Sequence, residues 1–227
     1  MRSRLVTAVL VVLLALPAVA GAAPGVNPNL MRGLGRSGQV VEIATRGMRT
    51  TFATARTYRL TYAGWRPVFG PMPARVGWAG LKRPTKRVAG EGTTPIGIYG
   101  IPYGFGSRPN PGLRGFAWRR LRIGDCWSGT PTDYNRWVER TPCAPEDEDL
   151  WRNAHRAYRY AAVLDFNYRH PVFGRGSGIF LHVSTHSPTE GCVSLPEGGL
   201  LDVLDWMKRG VKVVIGPERW LRSLKAP

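Results

Sequence analysis

The stretch IFLHVSTHSPTEGCVSLP, residues 179–196, holds two of the four histidines and one of the three cysteines of the chain. Its dense apolar start predicts an interior β-strand that ends near His182. A short polar loop follows, and Gly191 lets the backbone approach closely at Cys192. A strand, a loop and a return of this length are expected to bring the side chains of His182 and Cys192 together.

Such a pair predicts nucleophilic chemistry, because a thiol attacks well once a base has taken its proton. His182 is the favoured base, and His186 in the polar loop is the competing candidate. The backbone N–H groups at Gly191 and Cys192 are expected to face a developing oxyanion, as acyl transfer requires. The alternative is a buried cysteine and a hydrogen-bonded strand histidine that are neighbours by chance.

The rest of the chain predicts a mostly β fold with a few helices, in which short strands form a sandwich or barrel. The sequence has 227 residues, of which 28 are glycine and 19 are proline, so we expect one domain with many turns. Residues 39–45 and 211–216 have the apolar, β-branched character of strands.

Two helices are predicted. The first covers residues 145–158, where a proline and four acids suit the positive end of a helix dipole. The second follows Cys192 and carries apolar side chains at helical spacing. These are Leu200, Val203, Leu204 and Met207.

The N-terminus predicts a secretory signal peptide over residues 1–22, with Arg2 and Arg4 before an apolar run and small residues at the cleavage site. An uncleaved anchor helix is the alternative. Residues 23–38 form a Pro/Gly/Asn-rich lead-in. Beyond the signal, the sequence predicts no membrane span.

The charge of the chain is strongly positive. The net charge is +17, and loss of Arg2 and Arg4 with the signal leaves +15. A field of this size favours anionic partners, for which cell-wall polymers such as wall phosphate are the candidates in an exported protein. A merely solvated basic surface is the alternative. Nucleic acid is not expected, because no motif for its recognition is present.

The cysteines predict one disulfide and one free thiol. Cys126 and Cys143 flank a segment rich in Pro, Gly, Thr and Asp, and their pairing would close that loop and leave Cys192 reduced. If the loop covers the site, its residues Trp127, Tyr134 and Asn135 are candidate substrate contacts. A structural turn is the alternative for them. No residue spacing indicates a metal site.

These residues resemble the L,D-transpeptidase catalytic domain family, often called YkuD-type. The family signature is an upstream histidine, a variable loop and then Ser/Thr-His-Gly-Cys. Here IFLHV supplies His182, and Thr189-Glu190-Gly191-Cys192 ends the loop. GEGTTPIGIYGI, DYNRWV, LDFNY and GRGSGIFLHV are also similar to pieces of the family. The resemblance covers residues 39–216 and leaves residues 217–227 as a C-terminal tail.

The resemblance implies an exported enzyme of the cell wall or periplasm with a YkuD-like β-sandwich or barrel, acting on peptidoglycan stem peptides without metal or organic cofactor. Cys192 would form a thioester with the third stem residue, His182 would move the proton, and an amine of a second stem would complete a cross-link. Hydrolysis by the same pair, as an L,D-carboxypeptidase or amidase, and a non-catalytic wall-binding module are the alternatives.

Two departures from the family pattern stand out. Glu190 occupies the position of the family's histidine before Gly-Cys, and a carboxylate beside a thiol disfavours the thiolate. The loop between His182 and Cys192 is also shorter than in well-known members. The fate of the thioester is therefore open from the sequence.

Overall fold

The computed structural model describes residues 33–223. The predicted signal peptide and residues 23–32 of the lead-in lie outside the described residues. The mostly β fold predicted from the sequence is confirmed. The strands are β1 (Gln39–Thr45), β2 (Phe52–Thr61), β3 (Gly64–Pro67), β4 (Met72–Arg75), β5 (Leu81–Lys82), β6 (Thr94–Pro95), β7 (Gly97–Tyr99), β8 (Gly104–Gly106), β9 (Trp118–Arg120), β10 (Asp125–Trp127), β11 (Trp137–Glu139), β12 (Glu148–Asp149), β13 (Ala161–Val163), β14 (Phe180–Val183), β15 (Val193–Leu195) and β16 (Lys212–Pro217).

Within residues 33–223, eleven of these strands form one large sheet. Its hydrogen-bonded neighbours run in the order β7, β16, β1, β2, β4, β15, β14, β13, β8 and β9, and β3 pairs with β2 beside this path. β1 is antiparallel to β2 and parallel to β16. β14 is antiparallel to β13 and parallel to β15. The strands that begin and end the opening stretch are therefore direct neighbours.

The strand β14 is buried on both faces, which explains its unbroken apolar character. Leu181 and Val183 point into a core that also contains the apolar face of the helix that follows Cys192. Phe180 points the other way, into a second core built largely of aromatic rings. Because side chains alternate with a period of two, His182 shares the face of Phe180.

The helix predicted after Cys192 is present as α1 (Glu197–Trp206), and a second short helix, α2 (Glu218–Ser223), follows β16. The predicted apolar face of α1 is completely buried against the large sheet. Within residues 33–223, three short 3-10 helices complete the regular elements at Pro84–Lys86, Leu150–Asn153 and Ala157–Arg159. No helix within residues 33–223 is long and apolar enough to cross a membrane.

The prediction of a continuous helix over residues 145–158 is wrong. The acids bind backbone N–H groups locally instead of leading into an α-helix. Asp147 accepts from the N–H of Ala144 at 3.0 Å, and Asp149 accepts from the N–H of Trp151 at 3.0 Å. Glu148 and Asp149 form β12, and the remainder forms two of the 3-10 helices.

A small sheet lies at one end of the protein, in the order β11, β10, β12. It contains the predicted disulfide, which joins Cys126 in β10 to Cys143 across 17 residues of sequence. The segment between the two cysteines includes β11, and β12 follows five residues after Cys143. The disulfide therefore closes the loop that precedes the strand carrying Glu148.

Candidate active site

The side chains of His182 and Cys192 lie on one face of the large sheet. His182 is the register partner of Ser194 in the parallel ladder of β14 and β15. Cys192 precedes Ser194 by two residues and packs in the same core as Phe180. The alternation of extended chain thus places the imidazole and the thiol on the same side. Both line one cavity of about 570 Å³.

The turn before Cys192 is held by two threonine hydroxyls. Thr189 donates to the Cys192 carbonyl at 2.7 Å, and Thr94 donates to the same carbonyl at 3.1 Å. Gly191 has a φ of 135°, a conformation that favours glycine. A Cβ at Gly191 would also lie only 2.9 Å from the Thr93 carbonyl oxygen. The two threonines and Gly191 therefore fix the backbone conformation of the turn before Cys192.

The His182 ring is buried and oriented by a backbone carbonyl. Its exposed fraction is 6%, and Nδ1 lies 2.9 Å from the Val183 carbonyl oxygen. A carbonyl can only accept, so this contact assigns the proton to Nδ1 and leaves Nε2 with a free lone pair. Burial lowers the pKa of His182 to about 4, against the opposing effect of the Val183 hydrogen bond. The ring is neutral at pH 7.

This burial predicts a loss of stability in acid. The unfolded chain binds a proton at His182 from about pH 6.5 downwards, whereas the folded chain binds it only near pH 4. The free energy of unfolding therefore has its full value above pH 6.5. It falls by about 3 kcal/mol as the pH falls to 4. Urea unfolding of wild type and His182→Gln at pH 7 and pH 4 measures it.

The glutamine variant cannot titrate and is expected to lose about 3 kcal/mol less between the two pH values. His170→Gln, which replaces an exposed histidine of a loop, is the matched control. An equal acid-induced loss in wild type and His182→Gln would contradict the assignment.

The Cys192 thiol is held by two backbone groups. It is 8% exposed, it accepts from the N–H of Phe180 at 3.3 Å, and it donates to the carbonyl of Gly178 at 3.2 Å. Burial, with smaller contributions from Glu148 and Glu190, raises the pKa of the thiol to about 12 against the opposing effects of the Phe180 N–H and Arg87. The thiol is therefore protonated at neutral pH. Thiol and imidazole form a neutral pair before any substrate arrives.

The same cavity contains a buried cation, Arg87. The pKa of Arg87 is lowered by burial, with opposing effects from Glu91 and Cys192. Its Nε donates to the Thr93 hydroxyl at 3.2 Å, and that hydroxyl donates to Glu91 at 2.7 Å. Thr93 and Glu91 belong to the GEGTTP stretch, so this stretch both supports the arginine and, through Thr94, holds the Cys192 carbonyl.

A carboxyl group faces the thiol from β12. Glu148 accepts from the Tyr158 hydroxyl, and the Tyr158 ring meets the His182 ring edge-on at 5.7 Å. Burial, with smaller contributions from Glu190 and Asp149, raises the pKa of Glu148 to about 7 against the opposing effect of the Tyr158 hydrogen bond. Glu148 and Tyr158 thus form a hydrogen-bonded pair beside the histidine.

The three residues predicted to contact substrate are buried beside the cavity and are not part of its lining. The Trp127 indole N–H donates to Asn135 Oδ1 at 2.9 Å. The Tyr134 hydroxyl accepts from the N–H of Gly176 at 3.0 Å. A direct contact with substrate stays a prediction for all three, whereas these hydrogen bonds support the wall of the cavity.

Asn135 is the centre of that support. It is 1% exposed and has a φ of 59°. Its Oδ1 also accepts from the N–H of Gly178 at 2.9 Å, and its Nδ2 donates to the carbonyl of Phe166 at 3.1 Å. Gly178 in turn supplies the carbonyl that accepts from Cys192. The disulfide-closed loop therefore reaches the thiol through two hydrogen bonds.

The other histidines are exposed, at positions 155, 170 and 186. His186 lies in the loop after β14, and its ring is absent from the cavity lining. Across residues 33–223, no group of three or more His, Cys, Asp or Glu side chains is arranged to hold a metal ion.

Residues 51–215 match the family described as the YkuD L,D-transpeptidase catalytic domain. The chain belongs to this family. The match includes both His182 and Cys192, and it covers most of the large sheet. No curated protein matches the chain.

Three solved structures are similar to the chain at low identity. An L,D-transpeptidase (Yku) from Stackebrandtia nassauensis is 15% identical with a TM-score of 0.34, over 80% of this chain and 56% of that one. An L,D-transpeptidase from Mycobacterium smegmatis is 12% identical with a TM-score of 0.34, over 79% and 58%. The helical cell shape determining protein Pgp2 from Campylobacter jejuni is 14% identical with a TM-score of 0.37, over 84% and 58%. This YkuD chain therefore spans less than two thirds of each.

Sequence reasoning missed three residues of the cavity: Arg87, Glu148 and Tyr158. Arg87 precedes the GEGTTP stretch, whose signal in the sequence is its similarity to the family. Glu148 and Tyr158 fell inside the wrongly predicted helix, where the acids were assigned to a helix terminus. A single buried arginine ahead of a Thr-rich turn carries no local signal, because its burial depends on Phe166 and Gly191 far away in sequence.

Proposed function

We propose that the chain is an exported L,D-transpeptidase that cross-links peptidoglycan stem peptides through a thioester on Cys192. One observation carries the proposal: in a member of this family, Cys192 and His182 line one cavity, and the Val183 carbonyl orients the imidazole with its basic Nε2 unprotonated. That is the arrangement of a nucleophile and an oriented general base.

In the first half of the reaction, the Cys192 sulfur attacks the carbonyl carbon of the third stem residue. The thiol proton passes to His182 Nε2, and the carbonyl oxygen takes the negative charge. Collapse of this intermediate breaks the bond to the terminal D-amino acid, whose nitrogen receives the proton from His182 and leaves as an amine. The product is a thioester.

In the second half, a side-chain amine of another stem attacks the thioester. His182 takes a proton from this amine and returns it to the departing sulfur, so the free thiol is restored. The new amide links two third-position residues. Water in place of the amine would give a hydrolysed stem peptide and the same free thiol.

The electrostatics of the pair support general-base catalysis rather than a preformed ion pair. The pKa of the thiol is raised to about 12 and that of the imidazole is lowered to about 4, so both are neutral before attack. Proton transfer therefore accompanies attack on the carbonyl. Burial of both groups also shields the thiol from oxidation between turnovers.

The proposed location is the cell wall or periplasm. The predicted signal peptide supports export, and the disulfide suits an oxidising compartment. The peptidoglycan stem is the proposed partner, and an anionic wall polymer remains a prediction from the net charge of +17.

The decisive test is covalent labelling of Cys192. Purified protein without residues 1–22 is expected to gain the mass of the acyl group when mixed with a donor stem tetrapeptide, whereas Cys192→Ala gains none and loses stem processing by about 10³-fold or more. Cys192→Ser is the matched variant, because it keeps a weaker nucleophile in place. A Cys192→Ala protein that still processes the tetrapeptide would overturn the proposal.

The products separate the alternatives. Incubation with an acceptor stem is expected to give the cross-linked dimer, and a hydrolysed tripeptide alone would indicate an L,D-carboxypeptidase. Salt-sensitive binding to wall sacculi without labelling of Cys192 would indicate a non-catalytic binding module.

A further inference from the structure

Arg87 is a buried cation with a donor that no protein group uses. It is 6% exposed, and its Nη1 has no hydrogen-bond partner among residues 33–223. No carboxylate of the described chain lies within ion-pair distance of its guanidinium. A buried donor without an acceptor is expensive, so the unused Nη1 beside the cavity indicates an anionic acceptor that arrives during function.

The guanidinium is held in place from two sides. Nε donates to the Thr93 hydroxyl, and the plane lies over the Phe166 ring with Cζ 5.1 Å from the centroid. These contacts leave the Nη edge directed at the glycine-lined wall of the cavity. A fixed donor of this kind needs no reorganisation when charge appears next to it.

The Nη edge lies against the residue before the nucleophile. A Cβ at Gly191 would be 3.1 Å from Nη2, and a Cβ at Gly176 would be 2.5 Å from Nη1. The absence of side chains at these two positions therefore makes room for the guanidinium. Gly176 is fixed by its N–H bond to the Tyr134 hydroxyl.

One of the two backbone donors expected from the sequence, the Gly191 N–H, is already engaged. The Gly191 N–H donates to the Thr189 hydroxyl at 3.2 Å, and that hydroxyl donates onward to the Cys192 carbonyl. A free, charged donor therefore lies beside a glycine whose own N–H is in use.

We propose that Arg87 is a catalytic residue that donates to the carbonyl oxygen made negative by attack of Cys192. This inference rests on the proposed function. The S–C bond forms as the carbonyl π pair moves to oxygen, the thiol proton goes to His182, and Arg87 stabilises the oxyanion while it keeps its own protons. When the intermediate collapses, the pair returns from oxygen, the C–N bond breaks, and the amine leaves with the proton from His182.

The first experiment measures the field of Arg87 at the sulfur without any peptide. The rates at which iodoacetate and neutral iodoacetamide alkylate Cys192 are compared by mass spectrometry. Loss of the cation in Arg87→Met is expected to lower the iodoacetate-to-iodoacetamide rate ratio about tenfold, because only iodoacetate brings negative charge to the thiol. Arg87→Lys keeps the charge and is expected to keep most of the ratio.

Arg83→Met is the matched control, because it removes an exposed cation four residues earlier. It is expected to leave the ratio unchanged. Thermal unfolding of each variant shows whether it is folded. If Arg87→Met is unfolded, the rate ratio of Arg87→Lys is still informative. A ratio that stays the same in folded Arg87→Met would overturn the inference.

The second experiment distinguishes the oxyanion from a carboxylate of the substrate. Thioester formation is measured with two donors, one ending in a free carboxylate and one in an amide. Arg87→Met is expected to slow both donors equally, by about 10²-fold. Slowing of the carboxylate donor alone would overturn the inference and make Arg87 a residue that reads the substrate terminus.

The two proposals fail in different ways. If the wild type forms no thioester with either donor, the proposed function fails, and the alkylation ratio still reports on Arg87. If the wild type forms the thioester and Arg87→Met forms it equally fast, the function stands and the role of Arg87 is wrong.

Discussion

His182→Gln is expected to slow thioester formation at Cys192 by about 10³-fold. Glutamine has a similar size and can still meet the Val183 carbonyl, but it has no lone pair of basic strength to accept the thiol proton. With a thiol pKa raised to about 12, unassisted ionisation at pH 7 is negligible. The rate of acyl-adduct formation with a donor stem peptide, followed by mass spectrometry, measures the effect.

His186→Gln is the control for this prediction, since His186 is the competing histidine of the same loop and is exposed. It is expected to keep the wild-type rate. A larger loss of rate in His186→Gln than in His182→Gln would show that His182 is not the base. Unfolding curves of both variants at pH 7 show whether a lost rate reflects a lost fold.

Removal of the disulfide is expected to lower the free energy of unfolding by about 3 kcal/mol. The bond joins residues 17 apart in sequence, and its main effect is to restrict the unfolded chain. The variant is Cys126→Ala with Cys143→Ala, measured by urea unfolding without reductant. Its loop contains Asn135, so a parallel loss of Cys192 acylation is also expected.

Reduced wild type separates the loss of the covalent bond from the loss of the cysteine side chains. It keeps the buried Cys126 side chain in β10 but lacks the bond. The free energy of unfolding of reduced wild type is expected to be close to that of the double variant. An unchanged urea midpoint in the double variant would show that hydrogen bonds of the small sheet hold the loop without covalent help.

The parts of the fold that were predictable have local signals. The buried faces of β14 and α1 follow from apolar periodicity, and the pairing of Cys126 with Cys143 follows from a loop rich in turn residues. The proximity of His182 and Cys192 follows from a strand, a short loop and a glycine. Each of these depends on residues that are close together in the sequence.

The parts that were missed depend on distant contacts or on side-chain competition. Arg87 and Cys192 are 105 residues apart, and only the tertiary fold brings them to one cavity. The helix prediction over residues 145–158 failed because Asp147 and Asp149 bind backbone N–H groups locally. The supporting role of Asn135 has no local signal either, because four hydrogen bonds inside the protein, most of them to residues distant in sequence, occupy its amide.

Two backbone hydrogen bonds anchor the segment between β14 and β15, so the length of this segment can vary only between them. The N–H of Ser184 donates to the Leu195 carbonyl at 2.7 Å, and the N–H of Thr189 donates to the Val76 carbonyl at 3.0 Å. Positions 185–188 lie between these anchors. Insertions or deletions there alter the rim of the cavity, whereas the ladder keeps the imidazole and thiol on the same face. Changes in this segment can therefore alter which molecules reach the cavity without moving the imidazole or the thiol.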